Sequence, residues 1–422
     1  MAMTKKPVTG MKDILPEEMR IRDYVTGLVK QTYTAFGFTP IETPAVEHIE
    51  NLLSKQGGEN EKLIFKIMKR GEKLSLTADS TEEDLSDSGL RYDLTLPLSR
   101  FYACHASELP MPFKALQIGP VWRADRPQKG RFRQFVQCDI DILGDPTSLA
   151  ETELITATTT LLGKLDFKNF TVRINDRRIL KAMASYSGFS EDDYESVFII
   201  LDKMDKIGLS GVKEELTAHG FSASSVDKYT ELFASGNGDV SYLSSLAEKL
   251  GDSLPEGCAE ELSGIISSVE KVKNVDFSII FDPTLVRGMS YYTGTIFEIT
   301  MDEFGSSVAG GGRYDEMIGR FTGNKVCACG FSIGFERIIT ILLDKGFTVP
   351  GGSEKYAFLI EKGAGPEFTA SVMEEAAKLR AEGKSVLVSM MNKNKKFQKE
   401  QLEKEGYISD NIKEFYHSDF KN

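Results

Sequence analysis

The stretch Gly119–Gln137, GPVWRADRPQKGRFRQFVQ, decides how the rest of the chain is read. Its middle, RADRPQKGRFR, packs four arginines and a lysine into eleven residues between two segments of strand character. The second of these, Arg131 to Leu143, alternates, its even positions mostly apolar. Phe132, Gln134, Val136, Cys138, Ile140 and Ile142 fall on one face, and Arg133, Gln137, Asp139 and Asp141 on the other. In the first, Phe113 to Arg123, Gln117 and Arg123 share a face. Periodicity alone is compatible with an ordinary sheet that keeps one side wet. A hairpin with this charge density suits polyphosphate, because guanidinium forks grip phosphate oxygens in pairs. The common alternative, a P-loop, is absent: Gly310-Gly311-Gly312-Arg313 lacks the Lys-Ser/Thr pair that should follow.

Working outward, apolar residues at 21, 24, 25, 28, 29, 33 and 36 predict a helix over Ile21 to Phe36, with Pro16 and Glu17 near its start and Gly37 at its stop. Strands are expected at Phe38 to Val46 and Leu90 to Thr95. Ser148 and Glu151 form a capping-box pattern at the head of the next helix. From 176 to 273 the chain turns rich in Ala, Lys, Glu, Ser and Leu at helical spacing, which reads as a helical insertion. Strands return at Asp276 to Phe281 and Gly294 to Met301, followed by a Gly-rich turn at Ala309 to Gly312. A strand near Ala328 to Ile333 and a helix from Gly334 to about Lys345 come next. After the linker Thr348 to Lys355, strands at Tyr356 to Ile360 and Ser385 to Met390 flank a helix, and no closing strand is evident after Gly406. Strands grouped before and after a helical block predict an antiparallel α+β core rather than a doubly wound sheet. The expected divisions are a core in two parts, 1–175 and 274–347, an insertion over 176–273, and a small α/β domain over 354–422.

Composition narrows the function. A length of 422 residues calls for two or three domains, and no run of about 18 apolar residues suggests a membrane span. The start, MAMTKKPVTG, is polar and unlike a secretion signal, so a cytoplasmic protein is expected. A net charge of −12 argues against a whole surface built for nucleic acid. Contact with RNA must come from local patches, either Arg123 to Arg133 or the run with Lys393, Lys395, Lys396 and Lys399. The five cysteines match no zinc-ligand spacing, and the four scattered histidines give a hydrolytic triad little support.

The chain resembles the class II histidyl-tRNA synthetases. The resemblance rests on GMKDILP (Gly10 to Pro16), GFTPIETPAVE (Gly37 to Glu47), LRYDLT (Leu90 to Thr95) and the charged hairpin. It continues through LVRGMSYY (Leu285 to Tyr292), GGGRYD (Gly310 to Asp315) and GFSIGFER (Gly330 to Arg337), all in the family's order. It implies an antiparallel class II catalytic core, a homodimer with Pro44 at its interface, and the substrates L-histidine, ATP and tRNA(His), with Mg2+ accompanying ATP. Arg123, Arg287 and Arg337 are then the expected catalytic residues, Arg123 and Arg337 binding ATP. Asp93, Leu94, Thr95 and Gln137 are expected at the amino acid, and Asp141 with Tyr292 at the imidazole, Tyr291 beside them. Arg123 and Arg287 also face the amino acid, Arg287 near its carboxylate, where other class II enzymes often use a metal. No protein-held metal is expected. Gln128 and Arg133 resemble residues that meet the tRNA acceptor end.

These residue types suit the chemistry. A carboxylate must attack an α-phosphorus, two anions repel, and cationic forks lower that barrier while holding the reactants in line. Three departures stand out: Asp93 in YDLT where many bacterial relatives have Glu, Ser290 in place of a common Asp, and a C-terminal domain that reads as shortened. The rival reading is a regulatory subunit of ATP phosphoribosyltransferase that keeps the fold and senses histidine. Such proteins tend to lose the nucleotide-facing arginines, which this chain keeps at Arg123 and Arg337.

Overall fold

The computed structural model describes residues 3–53, 62–127, 130–233, 238–286, 291–301, 305–351 and 353–420. Contacts divide the chain into two compact units, Met1–Phe347 and Thr348–Asn422.

In the first unit, β1 (Thr39–Pro40), β2 (Val46–His48), β3 (Lys66–Met68) and β4 (Ser86–Leu90) precede the long hairpin of β5 (Phe113–Trp122) and β6 (Gln134–Leu143). β7 (Phe170–Asp176), β8 (Phe277–Phe281), β9 (Thr295–Met301), β10 (Ser306–Arg313) and β11 (Ala328–Gly334) follow. Among the described residues these form an eight-stranded sheet ordered β1-β5-β6-β11-β10-β9-β7-β8, and a small sheet ordered β2-β4-β3. The interior pairings of the large sheet are antiparallel, and only its edge pairs, β1 with β5 and β7 with β8, are parallel. A parallel pair needs a crossover. Among the described residues, the helices between Arg177 and Val272 supply it for β7 and β8. Asp176 opens the first of them by accepting a 2.7 Å hydrogen bond from the Arg178 backbone.

One face of the sheet is covered by helices. Pro16–Ala35 packs on Leu149–Lys164 and Phe335–Asp344, which lie against β6 and β11. The first begins with Pro at a position that needs no N–H donor, followed by Glu17 and Glu18 at the positive end of the helix dipole. Under these helices lie Cys138, Ile140 and Ile142, the apolar face of β6. The opposite, polar face of β6 is thereby aimed away from the helical layer.

Several expectations need correction. The segment Phe38 to Val46 is broken into β1 and β2, since Pro40 and Pro44 have no N–H for a ladder. Leu90 to Thr95 is not a strand: β4 stops at Leu90 and a helix runs Thr95–His105, its start held by Asp93 Oδ1 accepting from Leu96 N at 3.1 Å. Ser148 makes no cap hydrogen bond, because Glu151 is turned inward to a bidentate pair with Arg313 at 2.7 and 2.8 Å. The Gly-rich run Ala309 to Gly312, expected in a turn, lies in β10, between β9 and β11. They allow a close approach: a Cβ on Gly311 would lie 1.9 Å from the Gly330 carbonyl oxygen.

The second unit has a parallel sheet ordered β13-β12-β14, from β12 (Lys355–Ile360), β13 (Ser385–Met390) and β14 (Ile412–Phe415). A closing strand after Gly406 is thus present, contrary to expectation. At four residues, with only Ile412 fully buried, it carries too little alternation to be read from sequence. Helices Pro366–Ala381 and Lys395–Lys404 provide the crossovers, and β12 is apolar on both faces, as a central parallel strand must be.

Two glycine substitutions test this packing in opposite directions. Gly311→Ala should lower unfolding free energy by about 3 kcal/mol, since backbone rather than a flexible side chain blocks the methyl group. Gly27→Ala, at an exposed helical position with open space, should raise it by about 0.5–1 kcal/mol. Urea unfolding of both variants checks the pair.

Candidate active site

The polar face of β6 opens on a cavity of about 450 Å³ whose floor is β10 and β11 and whose rim is the charged hairpin and the start of helix Phe335–Asp344. Gly310, Gly311 and Gly330 line it and make it deep. A Cβ on Gly330 would fall 2.0 Å from Asp141 Oδ1. The face that periodicity allowed to be wet is dry: Gln137, Asp139 and Asp141 are 9%, 4% and 2% exposed.

One end of the cavity is rich in acceptors. Asp141 Oδ1 accepts from the Tyr314 hydroxyl at 2.6 Å, while its Oδ2 is buried without a partner. Asp93 Oδ2 and Gln137 Oε1 are also buried and unpartnered. Gln137 Nε2 is used internally, donating to Asp139 Oδ2 at 3.1 Å and lying 3.3 Å from Ser332 Oγ. Burial raises the carboxyls of Asp93 and Asp141 above the usual carboxylate range and lifts Asp139 to about 7. Asp139 adds to the rise at Asp141, as like charges in a dry site must. Unpartnered buried acceptors are costly, so this end is complementary to a ligand rich in N–H donors.

Cations line the same cavity. Arg123 Nε donates to the Tyr92 carbonyl at 2.8 Å, and its guanidinium lies 5.2 Å from the centre of the Phe135 ring. Arg337, at the start of the last helix of this unit, donates to the Ser307 carbonyl. Its neighbour Glu336 takes two 2.7 Å bonds from buried Arg22 and a 3.2 Å bond from Val136 N. That single carboxylate ties the first helix, β6 and the Arg337 helix together. Arg123 and Arg337 therefore flank the cavity as two fixed positive charges, with Arg131 also on its lining.

The residues expected at a site separate into groups. Asp93, Thr95, Arg123, Gln137, Asp141, Tyr291, Tyr292 and Arg337 all line this one cavity. Leu94 does not: its side chain is buried and its carbonyl accepts from Gln117 Nε2 at 3.1 Å, so it shapes the wall from behind. Arg133, at the end of the charged connection, is not on the cavity lining; its N–H is bonded to the Gly10 carbonyl at 2.8 Å and its Nε to the Asp125 carbonyl at 3.1 Å. Pro44 is exposed, beside Thr43, whose carbonyl holds buried Arg91 at 2.6 Å. Arg287, Gln128 and Ser290 lie outside the described residues.

Sequence reasoning did not single out Asp139, Tyr314, Phe135, Ser332 or Glu336 for a role. Asp139 was legible in the alternation that marked Gln137 and Asp141. Tyr314 follows the glycine strand and reaches Asp141 across 173 residues, a contact that no local pattern encodes.

Comparison with known proteins gives a consistent result. Residues 10–338 match the family model described as histidyl-tRNA synthetase. A histidine–tRNA ligase of Leifsonia xyli subsp. xyli is 45% identical over 354 residues, covering 81% of each chain. A probable histidine–tRNA ligase of Tropheryma whipplei is 41% identical, covering 95% of this chain and 94% of the relative. Among solved structures, a histidyl-tRNA synthetase from Nostoc sp. PCC 7120 aligns with a TM-score of 0.76 at 28% identity, covering 96% of this chain and 90% of that one. An ATP phosphoribosyltransferase regulatory subunit/histidyl-tRNA synthetase from Bacillus halodurans aligns with a TM-score of 0.78, covering 99% of each chain. At 21% identity that likeness speaks for the fold alone.

The Arg22–Glu336 anchor makes a separate prediction. Arg22→Ala leaves a buried carboxylate with only one backbone donor, and should destabilise the protein by about 3 kcal/mol in urea unfolding. A loss below about 1 kcal/mol, the range of an exposed pair, would show that the pair does not anchor the site.

Proposed function

The chain belongs to the histidyl-tRNA synthetase family, and on that premise we propose that it activates L-histidine with ATP and transfers the histidyl group to the 3′ end of tRNA(His). The observation that carries this reading is one cavity lined both by buried acceptors without partners and by the guanidinium groups of Arg123 and Arg337. Histidine brings donors at both its ammonium and its ring, and an adenylate brings the negative charge.

In this reading Asp93, Thr95 and Gln137 receive the ammonium group, and Asp141 with Tyr292 the imidazole, Tyr291 packing beside them at 4.9 Å between ring centres. Tyr314 occupies one oxygen of Asp141 and leaves the other for a ring N–H. A wrong side chain would leave that acceptor unpaired, which gives rejection on the order of 10⁴-fold. Arg123 holds the α-phosphate and Arg337 packs on the nucleotide, with Arg287 near the carboxylate. The carboxylate oxygen attacks the α-phosphorus, the bond to pyrophosphate breaks, and histidyl-adenylate forms. A terminal ribose hydroxyl of the tRNA then attacks the carbonyl carbon and AMP leaves. No covalent enzyme intermediate is required. Mg2+ would arrive on the phosphates of ATP.

We read residues 1–175 and 274–347 as the catalytic core, 176–273 as the insertion, and 354–422 as an anticodon-binding-like domain. Gln128 and Arg133 would serve the acceptor end, Arg133 by holding the hairpin in place. A homodimer with Pro44 at its interface and a cytoplasmic location complete the proposal. No helix among the described residues is long and apolar enough to cross a membrane. Among the described residues, no feature of the site favours the regulatory-subunit reading.

Charging of a tRNA(His) transcript with labelled histidine tests the proposal. Charging should require ATP, and Arg123→Ala should lower kcat/KM about 10²–10³-fold while the sedimentation coefficient stays that of a dimer. A wild-type protein that binds histidine yet neither charges tRNA nor forms adenylate would support a sensing role instead.

A further inference from the structure

We propose that Asp139 is a positioning residue that fixes which end of the Gln137 amide meets the substrate, turning the amide oxygen toward the ammonium group of the amino acid. This rests on the histidine reading above and adds to it a residue that acts through another.

The argument is one of donors and acceptors. Asp139 and Gln137 sit two residues apart on β6, so both side chains leave the same face. Gln137 Nε2 lies 3.1 and 3.4 Å from the two oxygens of Asp139. The flipped amide would set Oε1 against that carboxyl, acceptor facing acceptor, in a site that is almost fully buried. Ser332, paired with Asp139 across β11, is compatible with the same choice: its Oγ lies 3.3 Å from Gln137 Nε2 and its hydroxyl is hydrogen-bonded to Asp139. With both amide hydrogens drawn to this side, Gln137 Oε1 is left buried and unpartnered. An ammonium group has only donors. A Gln free to flip would offer it NH2 half the time.

The charge environment makes the device sensitive to pH near neutrality. Around Asp139 stand Asp141 on its own strand, Asp93 and Arg91 on the segment before helix Thr95–His105, and Arg123 at the end of the hairpin. Tyr33 reaches from the first helix and is held neutral by burial, while β5 and β11 contribute only neutral Gln117 and Ser332. Burial, reinforced by the charge of Asp93, lifts the Asp139 carboxyl to about 7 against the opposing pull of Ser332, Arg123 and Gln137. Above that pH Asp139 is ionised and holds the amide hydrogens most strongly. Below it the protonated carboxyl can itself donate, and the preference weakens.

The test compares two ligands on the full chain by calorimetry: L-histidine, and 3-(imidazol-4-yl)propionate, which lacks only the ammonium group. Each Kd is first corrected for that ligand's own imidazole titration, measured separately, because the ammonium group lowers the ring pKa of histidine relative to that of the propionate. For the wild type the preference for histidine should grow several-fold from about pH 6 to about pH 7.5, where the free amino acid stays protonated. Asp139→Asn, whose amide can meet Gln137 in either orientation, should lose about tenfold or more of that preference and all of its pH dependence, with propionate affinity changed less than about threefold. A purely structural role would weaken both ligands together and leave the ratio unmoved, and that result overturns the proposal. Should the variant fail to fold, the wild-type profile decides: a ratio flat with pH overturns it as well. A wild type that binds neither ligand defeats the histidine reading itself, and this inference with it.

Discussion

Two carboxyl groups on a dry face of the central sheet, Asp139 and Asp141, share one buried cavity with a third, Asp93, from the segment before helix Thr95–His105, and the rest of the structure is arranged around that constraint. Acids this close and this buried resist ionisation, and each needs donors. The protein supplies some of them: Leu96 N to Asp93, Gln137 and Ser332 to Asp139, Tyr314 to Asp141. It withholds others, leaving Asp93 Oδ2 and Asp141 Oδ2 unmet. The deficit is a template for a small ligand with an ammonium group at one end and a ring N–H at the other. Native interiors rarely leave such groups unpaired, so each calls for a partner or a role.

Space and rigidity follow from the same constraint. Glycines on β10 and β11 bring two backbones together and clear the volume beside Asp141 that any side chain would fill. The Arg22–Glu336 pair, buried between the first helix and the last helix of the large unit, fixes the mouth of the cavity and sets Arg337 at its edge. Arg123 is held by the Tyr92 carbonyl, one residue from Asp93, so the cationic and acidic ends are braced on the same segment. Charge placed in advance of the reaction needs no reorganisation when the adenylate forms.

The antiparallel core, the helical block after β7 and the charged hairpin were legible in the sequence, because each has a local signature: alternation, helical spacing, clustered arginine. What escaped depends on contacts between distant segments. A run of glycines reads locally as a turn, and only the neighbouring β9 and β11 make it a strand. Ser148 and Glu151 have the spacing of a capping box, but Arg313, far along the chain, claims the glutamate. Tyr314 and Glu336 are likewise invisible as partners of Asp141 and Arg22 until the sheet is assembled. The polar face of β6 was read correctly as a face and left open as to wetness, since alternation reports direction and not burial.

The central claim is that this acceptor-rich cavity selects histidine for reaction with ATP. Its most direct test is ATP–pyrophosphate exchange by the purified wild-type protein, measured with each of the twenty amino acids in turn. The account predicts a kcat/KM for histidine that exceeds every other by on the order of 10³-fold or more, and no exchange without amino acid. Equal exchange with phenylalanine or another apolar amino acid would contradict it, because such a side chain would leave Asp141 unpaired.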